Sequence, residues 1–244
     1  MTLFIPTGGT GISGIALGLG VLLFFGAYLA PRGGEGDLTQ RLSLAGFVTA
    51  SALAGGLFAS LAVGELGLSS LGAILGGGLA ALWLPGPLGL RRGATLDLLI
   101  PAGLAGLSVA RLGCLLQGCD FGSVTESPLA VTYPSGTRAW AYHVAAFGHP
   151  MMSRESLPVH PFGLYLGIWG LTSAALGVWW RRREATPGRA GLAAAALFLA
   201  GGGMIEWLRE PLTVPHFASG LSIYPIIYVT AAGLLFLLWR RLKI

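Results

Sequence analysis

The stretch Ala110-Arg-Leu-Gly-Cys-Leu-Leu-Gln-Gly-Cys-Asp-Phe-Gly122 closes a long apolar segment and carries an arginine within it. Placing that guanidinium in hydrocarbon costs roughly 2.5–3.5 kcal/mol on insertion scales. The cost predicts a functional role for Arg111, and the phosphate of an anionic lipid is a partner that a guanidinium prefers. The glycines of the stretch, Gly113, Gly118 and Gly122, leave room for a ligand to approach the backbone.

The composition indicates an integral membrane protein. Hydrophobic residues make up 54% of the 244-residue chain and charged residues only 10%, whereas soluble domains are about 25% charged. The net charge of +5 does not predict a nucleic-acid partner, because the basic residues lie between apolar segments rather than together on one face. We interpret them as topology signals.

Seven apolar segments approach the length of about 20 residues that a transmembrane helix needs. The predicted fold is therefore an all-α integral membrane protein with seven transmembrane helices in one domain, residues 1–244. The predicted spans are 11–30, 42–63, 68–84, 96–117, 161–180, 192–208 and 221–239. Between spans four and five, a polar insertion at 118–159 has a strand-like piece at 129–133 and a turn at 134–136. These features predict a small external cap.

The basic residues predict the orientation of the chain. Eleven of the fifteen Lys and Arg residues fall in alternate loops on one side. The positive-inside rule then places the N-terminus outside and the C-terminus in the cytoplasm. The eleven residues are Arg32, Arg41, Arg91, Arg92, Arg181, Arg182, Arg183, Arg189, Arg240, Arg241 and Lys243.

This orientation gathers the unusual polar groups at the external boundary, and each of them also has a structural interpretation. Arg111 can snorkel to the interface from a helix end. His160 and Tyr165 are five residues apart, so they can face one cavity only near a distorted helix start. Glu206 and Arg209 can form an ordinary i,i+3 ion pair, although Glu206 follows a long apolar run.

Cys114 and Cys119 are also five residues apart. On a continuous helix they would lie on different faces, so a disulfide would require the helix to break between them. The sequence favours packing roles for both.

The motif and its surroundings together resemble the prolipoprotein diacylglyceryl transferases of bacterial inner membranes. The family signature runs roughly Gly-Arg-x-Gly-Asn-Phe-x-Asn-x-Glu-x-x-Gly and aligns without gaps on 110–122. Arg111, Gly113 and Gly122 match it, and Gln117 is a near substitute for the second Asn. The first Asn and the Glu are replaced by cysteines, at 114 and 119.

Further motifs extend the resemblance over most of the chain. Asp97-Leu-Leu-Ile-Pro101 resembles the family's approach to the signature, and Ser127–Pro134 resembles a Pro-Trp-Ala-Val-x-Phe-Pro strand. Val159–Tyr165 resembles His-Pro-x-Gln-Leu-Tyr, and Glu206-Trp-Leu-Arg209 resembles a late Glu-Phe-x-Arg. The chain departs from the family in two of its catalytic positions. Leu71 stands where the family has a histidine, and Gly202 where it has a second arginine.

The resemblance implies an enzyme that moves the diacylglyceryl group of phosphatidylglycerol onto the lipobox cysteine of a prolipoprotein signal peptide. Arg111 would hold the phosphate, His160 or alternatively His143 would be the base, and Glu206 would orient an arginine or histidine. The scheme requires no cofactor or metal. The expected substrate-binding residues are Gly113, Gln117, Gly118, Gly122, Tyr165, Arg209, Asp97 and His143.

Two alternatives remain open at this stage. One is a non-catalytic lipid- or lipopeptide-binding paralogue on the same scaffold, which would account for the replaced polar positions. The other is a transfer of a different headgroup at the same outer-face cavity. In every case the expected location is the bacterial inner membrane, in contact with membrane lipid.

Overall fold

A computed structural model of the chain describes residues 3–4, 37–62, 70–184, 186–210 and 224–241. These residues are predominantly helical. The helices are α1 (Leu38–Ala62), α2 (Ser70–Trp83), α3 (Arg92–Gln117), α4 (Arg138–Phe147), α5 (Phe162–Arg181), α6 (Arg189–Ile205) and α7 (Tyr224–Arg241), with a 3-10 turn at Glu206–Leu208. Two short strands, β1 (Leu3–Phe4) and β2 (Val131–Thr132), pair in parallel.

The predicted helical membrane fold is confirmed, but the structure does not confirm all seven predicted spans. Four described helices are long and apolar enough to cross a membrane. They cover 38–59, 92–117, 162–181 and 189–208. The described apolar parts of α2 and α7, Gly72–Trp83 and Tyr224–Leu237, are shorter. The predicted first span, 11–30, lies outside the described residues.

Sequence signals explain where several helices begin and end. The Asp37 carboxylate accepts from the Gln40 backbone N–H at 2.7 Å, and the Gln40 side chain accepts from the Asp37 N–H at 2.9 Å. This reciprocal capping box satisfies two N–H groups at the start of α1. Thr137 caps α4 in a similar way, and α4 ends at Gly148, whose φ of 63° is left-handed.

The described residues form two compact units. Of the described residues, the first draws on 3–4, 107–172, 196–210 and 224–234, and the second on 37–62, 70–106, 173–184, 186–195 and 235–241. The first unit buries an apolar cluster in the 118–159 segment. Its members are Phe121, Val131, Tyr133, Ala139 and Val159.

Within the second unit, α1 and α2 pack backbone to backbone. A Cβ on Gly55 would lie 2.4 Å from the carbonyl oxygen of Gly72, and a Cβ on Gly72 would lie 2.2 Å from that of Gly55. Only glycine permits this approach. Small residues of this kind are what lets helices associate in lipid, where apolar surface alone gives little driving force.

The predicted strand-and-turn pattern of the 118–159 segment is confirmed in part. β2 covers two residues of the predicted strand-like piece, and Val131 exchanges two backbone hydrogen bonds of 3.0 Å with Val159. The turn follows at Pro134, whose carbonyl accepts from Thr137 N–H. The segment also contains α4, which the sequence analysis did not predict.

Candidate functional site

The end of α3 turns the chain back on itself beside Arg111. Gly118 has a φ of +62° and its N–H donates to the Leu115 carbonyl, while Cys119 N–H donates to the Cys114 carbonyl, both at 3.4 Å. These two bonds are the pair that defines a Schellman motif. A side chain at Gly118 would also meet the Tyr133 ring at 2.9 Å. The motif glycine is therefore required for the turn, and the turn brings Asp120 back toward the helix.

A four-member charged network results from this turn. Asp120 accepts from Arg111 through one carboxylate oxygen and from Arg209 through the other, the latter at 2.7 Å. Arg209 in turn makes a bidentate pair with Glu206, with distances of 2.7 and 3.0 Å. Two arginines and two carboxylates thus form one chain of ion pairs in the first unit.

The network is largely removed from solvent. The side chains of Arg111, Asp120 and Arg209 are 13–14% exposed, and that of Glu206 only 1%. The Arg209 guanidinium also lies 4.2 Å above the centre of the Phe162 ring, a favourable cation–π geometry. Because charges at this depth need partners, the two carboxylates account for how both cations are kept there.

The two arginines differ in how many N–H groups they have left. A guanidinium carries five N–H donors. Arg209 uses all three of its nitrogens on Asp120 and Glu206. Within the part of the chain that the structure describes, Arg111 uses one nitrogen, Nη1, on Asp120. The donors on Nε and Nη2 of Arg111 are therefore the ones that a phosphate can take without breaking an ion pair.

Gly122 holds two chain segments against this network. Its N–H donates to the His160 carbonyl at 3.1 Å, and it bridges to Arg209 in an antiparallel manner. A Cβ here would lie 2.6 Å from both His160 Cβ and the Leu208 carbonyl oxygen. The sequence analysis expected a ligand to approach the backbone here, whereas in the structure the His160 and Leu208 segments of the protein itself approach it.

The side chains of His160 and Tyr165 lie close to each other in the structure. The sequence analysis predicted such a contact only if the start of the helix is distorted. His160 precedes α5, and its Nδ1 lies 3.4 Å from the Tyr165 hydroxyl. Because Gly122 links the His160 backbone to the Arg209 backbone, His160 belongs to the same part of the first unit as the charged network.

His143 occupies a different environment. It lies on α4, is fully buried, and its Nδ1 accepts from the Leu157 N–H at 3.1 Å. The rings of Phe121, Tyr142 and Phe147 surround it. Burial lowers the pKa of His143 to about 4, so the ring stays neutral at physiological pH.

Asp97 belongs to the second unit, and the other predicted site residues belong to the first. Its two oxygens accept from the Gly188 and Gly191 N–H groups at 2.8 and 2.7 Å. These N–H groups stand at the start of α6, where a helix has unsatisfied donors and a partial positive charge. In the structure, Asp97 therefore caps the N-terminus of α6. Gln117 and Gly113 lie in the last turns of α3.

Asp120 and Tyr228 are two residues that the sequence analysis did not select. Asp120 follows the position where the family signature has a glutamate, and it is the nearest acidic residue after Arg111, which is the signal that could have identified it. Tyr228, on α7, interacts electrostatically with Arg111 and Glu206, and nothing local in its sequence marked it. Among the residues that the structure describes, no cluster of three metal-ligating side chains is present.

Comparison with known proteins places this geometry in context. A family model described as prolipoprotein diacylglyceryl transferase matches residues 44–239. Three relatives are each named phosphatidylglycerol–prolipoprotein diacylglyceryl transferase. The Rhodopirellula baltica protein is 35% identical over 114 residues, which cover 42% of this chain and 22% of the relative. A Vibrio vulnificus protein is 30% identical over 150 residues (59% and 47%), and the Bordetella parapertussis protein 30% over 133 residues (52% and 43%). The chain thus spans less than half the length of these relatives.

Proposed function

Because the chain belongs to the prolipoprotein diacylglyceryl transferase family, we propose that it transfers the diacylglyceryl group of phosphatidylglycerol to the thiol of a prolipoprotein's lipobox cysteine. The observation that carries the proposal is the half-paired Arg111 within a buried charged network, inside the region that the family model matches. The names of the relatives in the comparison support the same reaction. The non-catalytic lipid-binding alternative has no observation that favours it over the transferase.

The reaction develops negative charge on its leaving group, and the donors of this site can stabilise that charge. The cysteine sulfur forms a bond to the terminal glycerol carbon of the lipid, while the bond from that carbon to the phosphate oxygen breaks. Glycerol phosphate leaves with the bonding electrons and so gains negative charge, and the thiol proton goes to a base. Donors fixed in advance where charge develops lower the barrier, and removing one such donor costs about 10²–10³ in rate in other enzymes. We assign this task to the Nε and Nη2 groups of Arg111.

The other three members of the network act on Arg111 rather than on the lipid. Asp120 fixes one edge of the guanidinium, and Arg209 fixes Asp120. Glu206 anchors Arg209 from the buried end. In this scheme Glu206 and Arg209 are positioning residues, because all three Arg209 nitrogens are already hydrogen-bonded to Asp120 and Glu206.

His160 is the better supported base of the two histidines. Its ring is joined to Tyr165 and its backbone to Gly122, next to Arg209. The thiolate is the nucleophile, and histidine is the side chain that most often accepts a proton in general base catalysis. His143 is disfavoured, because its depressed pKa makes it a weak base and Leu157 already occupies its Nδ1.

The proposal includes the membrane placement predicted from the sequence. The protein would lie in the inner membrane with seven spans, its N-terminus outside and its C-terminus in the cytoplasm. The 118–159 segment would form the external cap. The four long apolar helices support multi-pass insertion, and the charged network then faces the outer leaflet, where a secreted prolipoprotein arrives.

A single assay tests the function. Purified protein is incubated in phosphatidylglycerol with a peptide that carries a lipobox cysteine, and the thioether product is measured by mass spectrometry. Product is expected from the wild type and from Arg154→Ala, which removes an exposed arginine of the same unit. A loss of about 10²–10³ in rate is expected for Arg111→Ala. Lipid binding without product in the wild type would overturn the transferase proposal and support the binding paralogue.

A further inference from the structure

Two glycines of α6, Gly202 and Gly203, leave space for the side chain of Tyr228 on α7. A Cβ on Gly202 would lie 2.7 Å from Tyr228 Cε1 and 3.0 Å from its Cδ1, and a Cβ on Gly203 would lie 3.1 Å from Tyr228 Cβ. Each glycine inside a helix costs about 1 kcal/mol relative to alanine. Two glycines in succession therefore make room, at a cost to α6, for this one aromatic ring.

The hydroxyl group of Tyr228 interacts with the charged side chains of the network. Tyr228 interacts electrostatically with Arg111, Arg209, Glu206 and Asp120, which are all four members of the network. The Tyr228 side chain is half-buried, and a tyrosine hydroxyl removed from water normally has a hydrogen-bond partner. Among the described residues, no side chain or backbone group is hydrogen-bonded to it. The hydroxyl is thus a donor without a partner among the described residues, within electrostatic range of the Arg111 guanidinium.

We propose that the Tyr228 hydroxyl donates a hydrogen bond to the same phosphate that Arg111 binds. This inference rests on the proposed function and names a further substrate-binding residue for it. A guanidinium and a phenol on neighbouring elements would hold two oxygens of the phosphodiester, which fixes its orientation as well as its charge.

The geometry also explains why position 202 cannot hold a larger residue here. The family resemblance expects an arginine at this position, and its side chain would have to enter the volume that the Tyr228 ring occupies. A tyrosine on α7 and an arginine on α6 are therefore mutually exclusive in this packing. We infer that the phenol supplies the donor that this chain lacks at 202.

Binding of phosphatidylglycerol to the purified full chain tests the inference directly. Diacylglycerol, which lacks the phosphate, serves as the second ligand, and free glycerol phosphate as competitor. Tyr228→Phe keeps the ring and removes the donor, so it should weaken phosphatidylglycerol binding about tenfold or more while leaving diacylglycerol binding unchanged. Tyr142→Phe, which removes a hydroxyl bonded to Glu210 at 3.3 Å, is the matched control and should bind both lipids normally.

A second pair of variants tests the position of the ring rather than its hydroxyl. Gly202→Ala should displace the ring and weaken phosphatidylglycerol binding by a similar factor. Combining it with Tyr228→Phe should then add little, because both changes remove the same contact. Gly233→Ala, on α7 with no atom within 4 Å of the new methyl group, controls for the glycine-to-alanine change.

Each result has one meaning. Equal binding of phosphatidylglycerol by wild type and Tyr228→Phe would overturn the inference, and so would an equal loss for both lipids or a wild type that does not prefer phosphatidylglycerol. Competition by glycerol phosphate in the wild type, reduced in Tyr228→Phe, would place the contact on the phosphate itself. These readouts do not depend on turnover. A wild type that binds the lipid but makes no thioether would refute the transferase while leaving the Tyr228 inference to be decided by binding.

Discussion

Asp120 accepts a hydrogen bond of 2.7 Å from Arg209, which follows it by 89 residues. The same carboxylate also pairs with Arg111. One acidic side chain therefore balances two cations from different parts of the chain. Removing one partner of a buried ion pair leaves an uncompensated charge, which typically costs 3–5 kcal/mol.

Asp120→Asn should accordingly lower both stability and activity. We expect a loss of about 3 kcal/mol in unfolding free energy, because Arg111 and Arg209 then face one another with the Glu206 carboxylate alone. Thermal unfolding in detergent measures the first effect, and the thioether assay at a temperature where the variant is folded measures the second. Glu126→Gln, an exposed acidic residue of the same segment, should behave as wild type. Unchanged stability of Asp120→Asn would contradict the network described here.

Asp97→Asn should affect folding more than catalysis. The amide retains one acceptor oxygen, but it loses the charge that faces the N-terminus of α6, so a cost of about 1–2 kcal/mol is expected. Comparing midpoints of thermal unfolding with turnover per folded molecule separates the two effects. Asp37→Asn, at the exposed start of α1, should cost less, since Asn is also a good cap. A selective loss of turnover in Asp97→Asn would return this residue to the active site.

His143 should make the protein less stable at acid pH. Its folded pKa is about 4, whereas a free histidine titrates near 6.5. As the pH falls through 6.5 the unfolded chain takes up a proton that the folded chain refuses until about pH 4. Stability present above pH 6.5 is therefore lost toward pH 4, by up to roughly 3 kcal/mol.

The variant His143→Asn isolates this effect. Its amide oxygen can still accept from the Leu157 N–H, but it does not titrate. Midpoints of thermal unfolding between pH 7.5 and 4.5 should fall less steeply for the variant than for the wild type. Parallel slopes would show that His143 is not the source of the pH dependence.

Cys114 and Cys119 should form an internal disulfide when oxidised. The Cys119 thiol donates to the Cys114 carbonyl at 3.7 Å, and side chains at these two positions of a Schellman motif commonly touch. Treatment with oxidised glutathione should give one protein disulfide and two molecules of reduced glutathione, seen as a loss of two hydrogens in the intact mass.

The Cys119 thiol should contribute little to the reaction as a nucleophile at neutral pH. A hydrogen bond with Cys114, followed by burial, raises the pKa of the Cys119 thiol, and the thiolate is the reactive form. Cys119→Ser should instead retain glutathione on Cys114 as a mixed disulfide. Stable glutathione adducts on both cysteines of the wild type would mean that the two sulfurs do not meet.

The cysteine pair shows where reasoning from spacing reaches its limit. A helical period alone puts positions 114 and 119 on different faces, and a disulfide would need a break between them. The break is present, because Gly118 ends α3 in a left-handed conformation. Gly118 could be read from the sequence either as the end of a helix or as a position where a ligand approaches the backbone. Only the backbone hydrogen bonds distinguish these two interpretations.

What the sequence determined about this protein is its class, the positions of most of its helices and the family motif around Arg111. These follow from apolar length and local pattern, which act over neighbouring residues. The i,i+3 pair of Glu206 and Arg209 was predictable from its spacing, but the tertiary structure alone decided the partners that are distant in sequence. Asp120 meets Arg209, Asp97 caps α6 and Tyr228 fills the space at Gly202, all across long stretches of chain. Partners of this kind are fixed by the packing of helices that are distant in sequence, and no local period or spacing contains that information.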